Sequence, residues 1–212
     1  MLASLQVSRR AFRQHVRLSL NAVPRLPPQH RSLLTLAIET SCDDTSVAIL
    51  EKGNGAPQGG PAAVLHFHEK VTANNDAFNG IHPIVALESH QSSLGHLVKK
   101  ALQHLPIASP VDGAHTNSSS SPAGQSNNRR VPGFISVTRG PGMRSNLSVG
   151  LDTAKGLSLA WNIPLIGVHH MQAHALTPRL VSALFSKANS PPQPDFPFLS
   201  LLVSGGHSML IS

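Results

Sequence analysis

LLTLAIETSCDDTSVAILEKG, residues 33–53, decides the fold: an apolar run, a polar turn with two aspartates, and a second β-rich run that ends at a glycine. Two short β-rich runs about a turn of Ser, Asp and Thr read as a hairpin of two strands. GNGAPQGGP (53–61) is a loop by composition, and AAVLHFHEKVT (62–72) supplies a third strand. From Ile84 to Leu105 the period lengthens. Leu87, Leu94, Val98, Ala101 and Leu105 recur at helical spacing and predict one buried face, behind Pro83 in a first turn. Residues 107–132, rich in Ser, Asn, Pro and Gly, cannot bury enough apolar area to offset the entropy of ordering, and predict a disordered insertion. GFISVTRGPGM (133–143) is a strand entering a glycine turn, NLSVGLDTAKGLSLAWN (146–162) a helix capped by Ser145 or Asn146, and IPLIGVHH (163–170) a short strand leading into a further helix. FPFLSLLVSGGHSMLIS (196–212) reads as two apolar strands about a Ser-Gly-Gly turn. Strands and helices in this order give an α/β or α+β class with a mixed sheet.

Charge is unevenly placed. The chain of 212 residues has a formal net charge of +7, yet residues 1–34 hold six arginines and no acid, leaving 11 Lys and Arg against 10 Asp and Glu in the body. The body therefore gives no sign of a broad phosphate-binding surface. Seven Phe, one Trp and no Tyr argue against a base-stacking platform as well. A lone cysteine, Cys42, forms no intramolecular disulfide, and no run of about 18 apolar residues offers a membrane span.

In the first 34 residues Leu5, Phe12, Val16 and Leu20 share one helical face, and Arg9, Arg13 and Arg17 line another. Arginine-rich, serine-containing and free of acid, the segment predicts a mitochondrial transit peptide; a basic RNA-binding arm is the other reading. The folded part then starts near Leu33.

Chemistry concentrates in four places. In VHHMQAHAL (168–176), His170 and His174 stand four apart on one helical face, the spacing with which two imidazoles grip one ion, whereas His169 lies about 100° round the helix. Two ordinary helix histidines are the plainer alternative. A zinc protease is excluded, because the glutamate that would activate water is replaced by Met171. LLVSGGHS (201–208) brings two glycines to a turn, where bare backbone amides can approach a phosphate, although Ser-Gly-Gly also suits a plain hairpin. In ETSCDDTSVAI (39–49), Glu39, Asp43 and Asp44 can hold a metal-bound phosphate and Ser41 and Thr45 can donate to its oxygens; a solvated turn has the same composition. TRGPGMRSNLSVG (138–150) places glycines before a helix and can present amides to an anion, or merely turn the chain.

Taken together, LAIETSCDDTSVAIL (36–50), TRGPGM with GLDTAKGLSLAWNIPLIGVHHMQAHAL (138–143 and 150–176), and FPFLSLLVSGGHS (196–208) resemble the tRNA N6-adenosine threonylcarbamoyltransferases, formerly called glycoproteases, and most closely their mitochondrial branch. The resemblance implies an α/β lobe of the actin, sugar-kinase and Hsp70-like type, spanning residues 35–212 with the start of a second lobe that is largely missing. It implies transfer of threonylcarbamoyl from threonylcarbamoyl-AMP to N6 of adenosine 37 in tRNAs reading codons that begin with A. By the same resemblance His170 and His174 ligate a divalent metal, Fe or Zn, and Leu202, Val203, Ser204, Gly205 and Gly206 contact the adenylate. A third ligand, an aspartate, is expected beyond residue 212, and no residue is assigned as general base. Partners implied are tRNA and a second copy of the chain, with no membrane. Asn79-Gly80-Ile81-His82-Pro83 departs from the family pattern before the first helix. A non-catalytic lobe that dimerises with an active homologue is the alternative, and it has no use for His170 and His174. An actin-like kinase or ATPase has none either.

Overall fold

A computed structural model of the chain describes residues 33–52, 62–108, 128–185, 194–203 and 208–211. Five strands form one mixed sheet: β1 (Leu34–Glu39), β2 (Asp44–Lys52), β3 (Ala63–Thr72), β4 (Phe134–Gly140) and β5 (Leu165–His169), in the order β3-β2-β1-β4-β5. β1 runs antiparallel to β2 and β2 to β3, while β4 lies parallel to β1 and β5 parallel to β4. The α/β class and mixed sheet expected from the sequence are what the chain has. The bounds differ at one point: Leu34, assigned to the leader, is the first residue of β1 and only 1% exposed. The rest of the leader lies outside the described residues.

Side-chain alternation explains why this sheet has one closed face. Leu36 pairs with Ile49 and Ile135, and Ile38 with Val47 and Val137, so these six point the same way. They are at most 2% exposed, each fully buried side chain contributing roughly 1.5–3 kcal/mol. Two helices cover them: α1 (Pro83–Leu102) and α2 (Arg144–Trp161). α1 starts where Pro83 sits in the first turn and His82 Nδ1 accepts from the Val85 N–H at 3.4 Å. Its buried face is Ala86, His90, Leu94, Leu97, Val98 and Ala101. The expected face is thus rotated slightly: Leu87 is half-buried, and Leu105 is buried beyond the helix end. α2 joins β4 to its parallel neighbour β5, the crossover that a parallel pair demands.

Two expectations require correction. α2 begins at Arg144 after Met143, which gives no side-chain cap, so Ser145 and Asn146 lie inside the first turn. Asn146 is instead fully buried and donates its Nδ2 to Cys42 O. The 107–132 insertion also has ordered ends. Ile107 bridges Arg129, the Ala108 N–H donates to Asn128 O and the Arg130 N–H to Pro106 O, and Arg130 reaches Glu51 Oε1 at 2.7 Å. Residues 109–127 lie outside the described residues.

Beyond β5 the chain continues into α3 (His170–Leu184) and a separate ribbon of β6 (Ser200–Val203) antiparallel to β7 (Ser208–Ile211). α3 contributes one buried residue, Ala175, while Leu180, Val181, Phe185, Leu201 and Leu210 are exposed. Among the described residues no helix is long and apolar enough to cross a membrane.

Candidate functional site

The three parallel strands β1, β4 and β5 end at one edge of the sheet, where open α/β sheets commonly bind ligands. β1 delivers Glu39 and the turn Thr40–Asp43, β4 delivers Thr138, and β5 delivers His169 directly into α3.

The β1–β2 turn is held from below by a buried polar frame. Cys42 O accepts from His90 Nε2 at 3.0 Å and from Asn146 Nδ2 at 2.6 Å, and Ser41 O accepts from the Met143 N–H at 2.9 Å. Because a carbonyl only accepts, His90 carries its hydrogen on Nε2, and Nδ1 accepts from the Thr45 hydroxyl at 2.7 Å. The close approach needs glycine: a Cβ on Gly142 would sit 2.7 Å from Ser41 Cβ, and one on Gly150 2.5 Å from Thr40 Oγ1. Nothing in the sequence pairs residues so far apart, so Thr138 and Asn146 were invisible as site supports. His90 did leave a signal, a polar residue at a core position of an amphipathic helix.

On this frame stands the histidine pair. His169 is the N-cap of α3, its Nδ1 accepting from the Gln172 N–H at 3.4 Å, which accounts for its divergence from the other two. His170 and His174 face each other edge to face, ring centroids 4.6 Å apart and Nε2 to Nε2 3.2 Å. Two nitrogens each roughly 2.0–2.1 Å from one ion have about this separation at a near-tetrahedral angle, so the pair fits a shared metal. Among the described residues no third His, Cys, Asp or Glu joins them. His170 Nδ1 lies 3.0 Å from Ser41 Oγ and 3.6 Å from Glu39 Oε1. Glu39 in turn accepts from the Ser41 N–H at 2.7 Å and from the Thr138 hydroxyl.

Other candidates are placed elsewhere. Thr45 is spent on His90 and is fully buried. Asp44 faces Lys70 at 2.8 Å and Thr72 at the sheet edge; burial works to raise its carboxyl, but those hydrogen bonds and the charge of Lys70 hold it below the usual range. Leu202 lines a groove with His174, Thr177, Pro178 and Val181, so it is brought beside the pair, while Val203 is 71% exposed. Ser204, Gly205 and Gly206 lie outside the described residues. Cys42 is a free, half-buried thiol.

Residues 133–212 match the family model of tRNA N6-adenosine threonylcarbamoyltransferase. Over 182 residues the chain is 36% identical to the mitochondrial tRNA N6-adenosine threonylcarbamoyltransferase of Schizosaccharomyces pombe, a match covering 86% of this chain and 37% of that protein. It is 35% identical over 187 residues to the tRNA N6-adenosine threonylcarbamoyltransferase of Maricaulis maris, covering 86% of this chain and 40% of that one. The chain thus spans about two fifths of the length of these curated relatives. Among solved structures it overlaps YeaZ from Pseudomonas aeruginosa (18% identity, TM-score 0.36, 64% of this chain and 42% of that one) and RuvC of Thermus thermophilus (12%, 0.38, 75% and 83%). At such TM-scores these overlaps add nothing to the sheet order. The sequence matches bear out the resemblance to the transferase family.

Proposed function

We propose that this chain, similar over most of its length to the tRNA N6-adenosine threonylcarbamoyltransferases, carries half of the active site of such an enzyme. The reaction passes threonylcarbamoyl from threonylcarbamoyl-AMP to N6 of adenosine 37 in mitochondrial tRNAs that read codons beginning with A. The exocyclic amine attacks the carbamoyl carbon, the mixed anhydride bond breaks, AMP departs, and the amine loses a proton. His170 and His174 are the residues that would hold a divalent metal, Fe or Zn. Bound there, a metal supplies a Lewis acid and a template for carbamoyl or phosphate oxygens. Leu202, Val203, Ser204, Gly205 and Gly206 would contact the adenylate, Leu202 from the groove beside His174. The enzyme would work in the mitochondrion, behind a cleaved leader of residues 1–34, as a homodimer.

One observation supports this reading most: two imidazole nitrogens converge to 3.2 Å at the edge where all three parallel strands end.

A chimera tests it. Residues 33–212 replace the matching segment of the Schizosaccharomyces pombe relative in cells lacking that protein, and mitochondrial tRNA is digested and weighed by mass spectrometry. Restored threonylcarbamoyladenosine, lost again on His170→Ala with His174→Ala, is the expected result. A folded, imported chimera that makes none overturns the proposal.

A further inference from the structure

We propose that Ser41 and Glu39 are positioning residues for His170, fixing its tautomer so that Nε2 turns a bare lone pair toward His174. The inference builds on the reading of these two histidines as metal ligands.

The groups around His170 Nδ1 favour one of its two tautomers. Ser41 Oγ has Cys42 Sγ at 3.7 Å to take its hydrogen, and in that rotamer its lone pairs can accept from His170 Nδ1 at 3.0 Å. Glu39 accepts two hydrogens, one from the Ser41 backbone N–H and one from the Thr138 hydroxyl, which hold its carboxylate in place beside His170. His170 Nδ1 thus faces the Glu39 carboxylate oxygen, which accepts, at 3.6 Å and Ser41 Oγ, which can accept, at 3.0 Å. An imidazole nitrogen facing acceptors carries the hydrogen. In the neutral ring the other nitrogen, Nε2, is then unprotonated, as a metal ligand must be. Carboxylates and hydroxyls in this outer position raise ligand basicity and hold ring orientation.

The arrangement is one-sided. Among the described residues His174 has no partner besides His170, and it is exposed where His170 is half-buried. One ligand is set in advance and the other is free to turn.

The test needs no catalysis. The 212-residue chain, labelled with 15N-histidine and free of metal, is examined by long-range 1H–15N correlation, which separates the two tautomers. Wild type should show His170 with hydrogen on Nδ1, and Ser41→Ala combined with Glu39→Gln should shift it toward hydrogen on Nε2. Co2+ alone is then titrated by ligand-field absorption. Ser41→Ala should weaken binding on the order of tenfold, and His174→Ala should remove it. Should the double variant fail to fold, Ser41→Ala alone decides, since it keeps the Cβ against which Gly142 packs. Hydrogen on Nε2 in the wild type, or a tautomer unmoved by the substitutions, overturns the inference. Hydrogen on Nδ1 with no Co2+ bound leaves the positioning standing and sinks the metal reading instead.

Discussion

The face of the sheet beneath α1 and α2 and the end formed by α3, β6 and β7 use the same kinds of side chain to opposite effect. Under the two helices Leu36, Ile49, Ile135 and Val137 are at most 1% exposed; on α3 and β6, Val181 is 46% and Leu201 67% exposed. Hydrophobicity is nearly equal, so the difference is one of partners. The first region finds two helices whose small residues, Ala86, Ala101, Gly150 and Ala154, let backbones come close. The second finds only a two-stranded ribbon and a groove. The histidine pair straddles the seam, His170 tied through Ser41 to the firm side and His174 standing on the loose one. Stability thereby rests on one part of the molecule, while the histidine pair stands at its margin.

If that division holds, Leu36→Ala should cost about 2–5 kcal/mol in urea denaturation, while Leu201→Ala should stay within roughly 0.5 kcal/mol. Equal losses would erase the distinction. A matched pair of histidines sharpens it. His90→Ala opens a cavity and strands the Thr45 hydroxyl, and should cost more than about 2 kcal/mol. His174→Ala in the metal-free chain should leave the thermal midpoint unchanged. A subtler contrast lies within α2 itself. Gly150→Ala forces a Cβ against Thr40 and should destabilise by about 1–3 kcal/mol, whereas Gly156, with open space around it, should accept alanine with a gain of about 0.5–1 kcal/mol. The smallest effect belongs to Asp44, which is more than one-third exposed. Its lowered carboxyl stabilises the native state at neutral pH, and that contribution, below about 1 kcal/mol after solvent screening, disappears as pH falls below about 4. Asp44→Asn should flatten the stability profile over that acid range and change little elsewhere.

The elements were legible because period is local. Alternation in DTSVAIL places Thr45, Val47 and Ile49 inward, and the run from Pro83 to Leu102 carries its own helical stripe. Register and closure were not. That Leu36 pairs with both Ile49 and Ile135 follows from twist and packing across about 100 residues, which no short window contains. The histidine pair was legible from its spacing of four, yet its support was hidden: Glu39 and Ser41 looked like ligands of a phosphate and stand instead behind His170. The cap of α2 was misread for a related reason. Asn146 is a good cap residue by type, but burial against Cys42 O is worth more to it than the helix end.

The pinned ends of the 107–132 segment make the molecule a convenient host for cargo. Ala108 and Asn128 are joined by a hydrogen bond, Arg130 returns to Pro106, and Pro132 is fully buried just before β4. Whatever length of chain is spliced between those staples, closure entropy grows only logarithmically with it, and α1 and β4 keep their footing. A fluorescent protein or affinity peptide inserted there should report on the protein in living cells and leave the sheet and its two covering helices folded.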